Sequence, residues 1–104
     1  MQRIGRVSKL KPGAAAEYEQ LHTGVWPAVL NAITEAGISN YTIFRHGDWL
    51  FSYFQLPAGQ ELDAIGGTLE RIPECRRWEE CMRELRDPDF AADWLPMKEV
   101  FHLP

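Results

Sequence analysis

The chain changes hydrophobic period several times, and each change predicts an element. Residues 3–10, RIGRVSKL, alternate well enough for a strand that ends at the KPG turn. From about Ala14 to Ala36 the period becomes helical. At about 100° of rotation per residue, Ala14, Leu21, Val25, Val29, Ala32 and Ile33 share one side, while Glu17, Gln20, Thr23, Asn31 and Glu35 share the other. Gly37 is placed to stop this helix. Pro27 lies inside it, where the missing backbone donor predicts a kink or a break just past Trp26. ISNYTIFR and WLFSYFQL read as two strands joined by the short HGD loop, and PAGQ ends the second. Residues 61–70 are weakly helical. IPECRRWEECMREL is a firmer helix, with Pro73 in its first turn and Cys75, Trp78, Met82 and Leu85 on one face. RDPD stops it, and MKEVFHL reads as a closing strand.

The resulting order, β-α-β-β-α-β, predicts an α+β, ferredoxin-like fold over residues 1–104 as a single domain. Its four-stranded antiparallel sheet would carry both helices on one face. The other face needs a cover, and the chain has no spare element for it. A second copy packed on that face is therefore expected, giving a homodimer. The residues exposed there would come from Trp49, Leu50, Phe51, Tyr53 and Phe54.

Composition narrows the setting. The 104 residues are 45% apolar and 25% charged, as in a globular chain rather than a disordered one. A net charge of −4 with no basic face argues against nucleic acid or an anionic membrane as partner. No apolar run approaches the ~18 residues of a membrane span, and MQRIGRVSKLKPG lacks a signal-peptide core. Cys75 and Cys81 lie about 240° apart around their helix and cannot bridge within it. Two free thiols fit a reducing compartment, so a cytoplasmic location is expected. The three histidines lack metal-ligand spacing, and no phosphate loop or nucleophile elbow occurs.

The pattern has one anomaly. Tyr18 and His22 lie one turn apart on the apolar side of the first helix. Such a helix can hold both over the sheet, within reach of strand residues such as Tyr41. Aromatic residues make up 12% of the chain, including Trp26, Trp49, Trp78 and Trp94. Aromatic faces cover the C–H face of a sugar, hydroxyl and imidazole groups bond its hydroxyls, and imidazole exchanges protons near neutral pH. Each residue also has a plainer explanation. A histidine on an apolar face is commonly a core residue bonded to backbone, and Tyr41 and Trp78 can be packing residues. Trp26-Pro27 can simply mark a wedged helix end, His46 a solvated turn and His102 a half-exposed strand position.

EYEQLHTGVWP, GISNY, CRRWEECM, DPDF and EVFHLP together resemble, in order, the anchors of the L-rhamnose mutarotase family. The match extends over nearly the whole chain. No single piece is specific, whereas five in register are. The resemblance implies interconversion of the α and β anomers of a free aldose, a 6-deoxyhexose such as L-rhamnose, without cofactor or metal. It also implies a dimeric α/β-barrel of ferredoxin-like subunits. Carried over by position, His22 is the catalytic proton donor, and Tyr18, Tyr41 and Trp78 bind the sugar. The sequence departs from the pattern where Glu79 replaces the second of two tryptophans and Asp87 replaces the asparagine of an N-P-D loop. The HGD hairpin is also short, and residues 57–72 are long. Glu79 would then rim a reshaped pocket, which leaves the sugar open, L-fucose included. Dimeric α/β-barrels also include cofactor-free oxygenases and cyclases and non-catalytic ligand-binding domains, and these remain alternatives.

Overall fold

Trp26 precedes a proline, which disfavours helical backbone at the tryptophan. It is extended, with φ −58° and ψ 133°, and the long helix expected from residues 14–36 is two helices. The computed structural model describes residues 1–90 and 92–104. Its elements are β1 (Gln2–Lys9), α1 (Ala15–His22), α2 (Pro27–Glu35), β2 (Ser39–His46), β3 (Trp49–Leu56), α3 (Leu62–Glu70), α4 (Pro73–Leu85) and β4 (Leu95–Met97). Pro27 and Pro73 open α2 and α4, where a missing N–H costs no helical bond. Gly37, at φ 88°, closes α2. The Ile38 N–H reaches the Ile33 carbonyl and the Gly37 N–H reaches that of Thr34, the bonding of a Schellman cap.

The four strands form one antiparallel sheet in the order β2-β3-β1-β4, the ferredoxin-like arrangement expected. The β2–β3 hairpin turns at Gly47-Asp48. Gly47 takes φ 59° at the first loop position, as a type II′ turn asks. Strand alternation then sorts the side chains. Leu10, Leu50, Phe54 and Leu56 are at most 1% exposed on the helix side, so Leu50 and Phe54 do not belong to the open face. Trp49 and Phe51 do lie there, with Phe44 opposite Phe51.

The helix-side core falls into two clusters. Leu10, Ala14, Tyr18, Val29, Leu50, Trp78, Met82 and Leu85 form one, and Phe54, Leu56 and Ile65 the other. The register explains the division. Ile4 pairs with Phe54 and Ser8 with Leu50, but the rank between them pairs Arg6 with Ser52. Two polar residues interrupt the apolar floor.

The closing strand is Leu95–Met97, not the expected 97–103. Pro96 lacks a backbone donor and is tolerated because β4 is an edge. Beyond it, Val100, Phe101 and Leu103 are 86%, 79% and 79% exposed, and they pair with no strand among the described residues. No helix of the described residues is long and apolar enough to cross a membrane.

Candidate active site

Arg6, from the polar rank between the clusters, lines a cavity of about 980 Å³, whose walls also include Tyr41, Phe54, Trp78, Glu79 and Trp94. Tyr41 arrives there through a bulge. Ser39 pairs with Gln55 and Thr42 with Tyr53, so Asn40 and Tyr41 together oppose Phe54. Asn40 absorbs the irregularity at φ 52°, a region asparagine tolerates, and its side-chain amide donates to Gln55 Oε1 at 2.8 Å. Tyr41 then tilts against Phe54 at 5.2 Å between ring centroids. The residue is 36% exposed, and its hydroxyl lies 3.4 Å from Arg6 Nη2. Burial raises its pKa against the opposing pull of Arg6.

Trp78 and Glu79 enter from α4. Trp78 is 9% exposed, whereas the Glu79 carboxylate accepts a short charge-assisted bond from Arg86 Nη1. Arg86 directly follows α4 and is seated by a β-bridge to Leu10, which leaves it 7% exposed. The same Nη1 lies 3.4 Å from Asp93 Oδ1, and the guanidinium sits 5.6 Å from the Trp94 ring centroid. The aromatic wall that a second tryptophan would make is here an ion pair.

Tyr18 and His22 line a separate cavity of about 370 Å³ with Ile43, Phe44 and Leu50, edged by the Arg45–Glu19 ion pair at 2.6 Å. His22 ends α1, and its Nδ1 lies 2.8 Å from the Tyr18 carbonyl oxygen. A carbonyl only accepts, so Nδ1 carries the hydrogen and Nε2 is left to exchange protons. The imidazole tilts on Tyr18 at 4.2 Å and meets the edge of Trp78 at 5.3 Å, and Trp26 stands against the other side of Trp78 at 5.2 Å. Tyr18 is 4% exposed. Burial first, then the nearby Tyr41, pushes its pKa up, so it stays a neutral phenol.

Of the five residues singled out by sequence, Tyr41, Trp78 and Glu79 thus share the larger cavity. Tyr18 and His22 line the smaller one, and the Trp78 ring links the two groups. The bond from Nδ1 to backbone is also what a purely structural histidine would make. His46 and His102 are exposed, and neither lines either cavity. Among the described residues no cluster of three His, Cys, Asp or Glu side chains could hold a metal ion. Cys75 and Cys81 are free thiols. Asp87 accepts the Asp89 backbone N–H at 2.9 Å, an Asx turn that asparagine would make equally well. Sequence reasoning missed Arg6, Arg86 and Trp94. Arg6 did leave a signal, a charge in the same strand rank as Ile4 and Leu10. Arg86 left none.

The sequence model of the family described as L-rhamnose mutarotase matches residues 3–103. An L-rhamnose mutarotase of Acidiphilium cryptum is 35% identical over the whole of both chains. One of Opitutus terrae is 34% identical over 99% of each. The crystal structure of an L-rhamnose mutarotase from Formosa agariphila superposes with a TM-score of 0.79 over all of both chains at 22% identity, a likeness of fold. With matches that run from end to end, this chain belongs to the L-rhamnose mutarotase family.

Proposed function

We propose that this protein interconverts the α and β anomers of a free aldose, L-rhamnose being the sugar for which its family is named. One observation carries the assignment of roles. His22 is fixed through Nδ1 to the Tyr18 carbonyl, which leaves Nε2 free beside Tyr18 and Trp78. In the imidazolium form Nε2 donates to the ring oxygen while the anomeric hydroxyl gives its proton to water, directly or through the Tyr18 hydroxyl, and the C1–O5 bond breaks to give the aldehyde. Rotation about C1–C2 presents the other carbonyl face. O5 then adds to C1 and returns its proton to neutral Nε2 while the carbonyl oxygen takes a proton back by the same route, so acid and base are regenerated together. A positioned group of this kind is worth ~10²–10⁴-fold. Tyr18 orients a hydroxyl or carries the second proton, Tyr41 holds another hydroxyl, and Trp78 packs on a C–H face of the sugar. No step calls for a metal or cofactor.

The assembly belongs to the same reading. Phe44, Trp49, Phe51 and Met97 are 63%, 39%, 37% and 42% exposed on or beside the open sheet face, and the apolar tail lies beyond them. A second copy covering this face would remove that surface from water, as a homodimeric α/β-barrel of single-domain subunits does. A cytoplasmic location fits the two free thiols. Saturation-transfer NMR on the anomeric protons of L-rhamnose tests the activity, and exchange no faster than in buffer would refute it. Light scattering at micromolar concentration tests the dimer, which a monomeric mass would exclude.

A further inference from the structure

The larger cavity is lined by four guanidinium groups, Arg6, Arg71, Arg76 and Arg83, and four carboxylates, Glu70, Glu79, Glu80 and Asp93, which balance in number but not in pairing. Glu79, on α4, and Asp93, before β4, belong to the ion-paired part of this wall. Both carboxylates are already engaged: Glu79 by Arg86, and Asp93 by Arg83 at 3.0 Å and Arg86 at 3.4 Å. Arg6 has no carboxylate within ion-pair distance among the described residues. Its Nη2 lies 3.4 Å from the Tyr41 hydroxyl, a long contact, and its Nε is buried without any partner. Its guanidinium carbon instead lies 4.9 Å from the Phe54 ring centroid and 5.1 Å from that of Trp94. Rings can hold a cation in place, but they do not replace the hydrogen bonds it loses on leaving water. Ser52 Oγ, from the cross-strand partner of Arg6, and Arg86 Nε are likewise buried and unbonded. The floor between the two apolar clusters thus holds one orphaned guanidinium nitrogen and one orphaned hydroxyl, with Arg6 itself on the cavity wall.

We propose that this cavity takes a free aldose bearing a carboxylate, a hexuronate, and that Arg6 binds the carboxylate at the carbon where a 6-deoxyhexose carries its methyl group. The inference rests on the mutarotase reading and narrows its substrate class. A planar guanidinium fork matches a carboxylate with two parallel bonds. The lining carries as many carboxylates as guanidinium groups, so a monoanion suits the cavity better than a phosphate dianion. Burial lowers the Arg6 pKa from its usual value, and the Tyr41 hydroxyl beside it opposes that shift. Glu79 holds Arg86, so its carboxylate is engaged away from Arg6.

Anomer exchange measured on matched pairs isolates the group at C6: D-galacturonate against D-fucose, and D-glucuronate against 6-deoxy-D-glucose. L-rhamnose and D-glucose 6-phosphate are run beside them. The expected kcat/KM favours the better hexuronate over its 6-deoxy partner by ~10-fold or more, and Arg6→Gln lowers that ratio by ~10²-fold. Arg6→Lys keeps the charge without the fork and should recover part of the ratio. Because each ratio is taken on one preparation, partial misfolding of a variant cancels. If L-rhamnose exchanges while no hexuronate does, or if the ratio ignores Arg6→Gln, this inference is wrong and the mutarotase reading stands. Preference for the sugar phosphate would overturn the carboxylate assignment alone. No exchange with any sugar, neutral or anionic, would end both.

Discussion

The two cavities on the helix side of the sheet are built in opposite ways. Around His22 the walls mix rings and aliphatic side chains with the Arg45–Glu19 ion pair at the edge, and the histidine itself is held by a bond to backbone within a single helical turn. Around Arg6 the walls bring together β1, the β2 bulge, α4 and the segment before β4, and ion pairs through Arg86 tie α4 to that last segment. The difference teaches where each kind of site gets its precision. A residue held by its own helix needs little of the tertiary structure for its orientation. A charged wall exists only when four separate segments have met.

Breaking the local device should have the largest effect. His22→Asn keeps a side chain that can bond the Tyr18 carbonyl but cannot trade a proton. Anomer exchange should fall by ~10²-fold or more while the melting temperature stays near that of the parent protein. A well-folded variant with normal exchange would return His22 to a packing role.

Breaking the non-local device should appear first in stability. Glu79→Gln leaves Arg86, 7% exposed, with Asp93 at 3.4 Å as its remaining ion-pair partner. A loss of roughly 2 kcal/mol in urea unfolding is expected, toward the lower end for a broken buried pair because Glu79 itself is 34% exposed. An unchanged midpoint would mean that the pair organises nothing.

Trp78→Phe tests the wall between the two cavities. It keeps a ring but shrinks the face offered to a sugar, so KM should rise by roughly fivefold, about 1 kcal/mol, with kcat little changed. A fall in kcat instead would mean that Trp78 positions His22.

Tyr18→Phe gives the smallest change. Exchange should slow by less than in His22→Asn, because one hydroxyl is lost and the ring against the imidazole is kept. Its second readout is alkaline stability. Tyr18 and Tyr41 have raised pKa values in the folded state through burial. Below the ordinary tyrosine value of about 10, both folded and unfolded chains hold these protons. Above it the unfolded chain releases them first, so stability should fall as pH rises past about 10. The Phe variant should flatten that fall, and an identical slope in urea melts between pH 8 and pH 11 would show that Tyr18 is not its source.

Much of this protein was decided by its sequence. Strand alternation, the glycine and proline stops and the order of elements carried the ferredoxin-like topology, because each is a property of residues a few positions apart. Tyr18 and His22 were legible for the same reason, as polar side chains one turn apart on an apolar stripe. The closing strand was misplaced because the alternation of residues 97–103 does not say what it pairs with, and within this chain the ladder partners of β1 are Leu95, Pro96 and Met97. Only the tertiary structure decided that Tyr41 meets Arg6, since that depends on a two-against-one mismatch with β3. It alone placed Arg86 at the end of α4 against Glu79 and Trp94, and it left Arg6 among rings without an anion. Local periodicity assigns a residue to a face of its own element. Which charge meets which across that face is fixed only when distant segments pack, and the physical character of the larger cavity depends on those meetings.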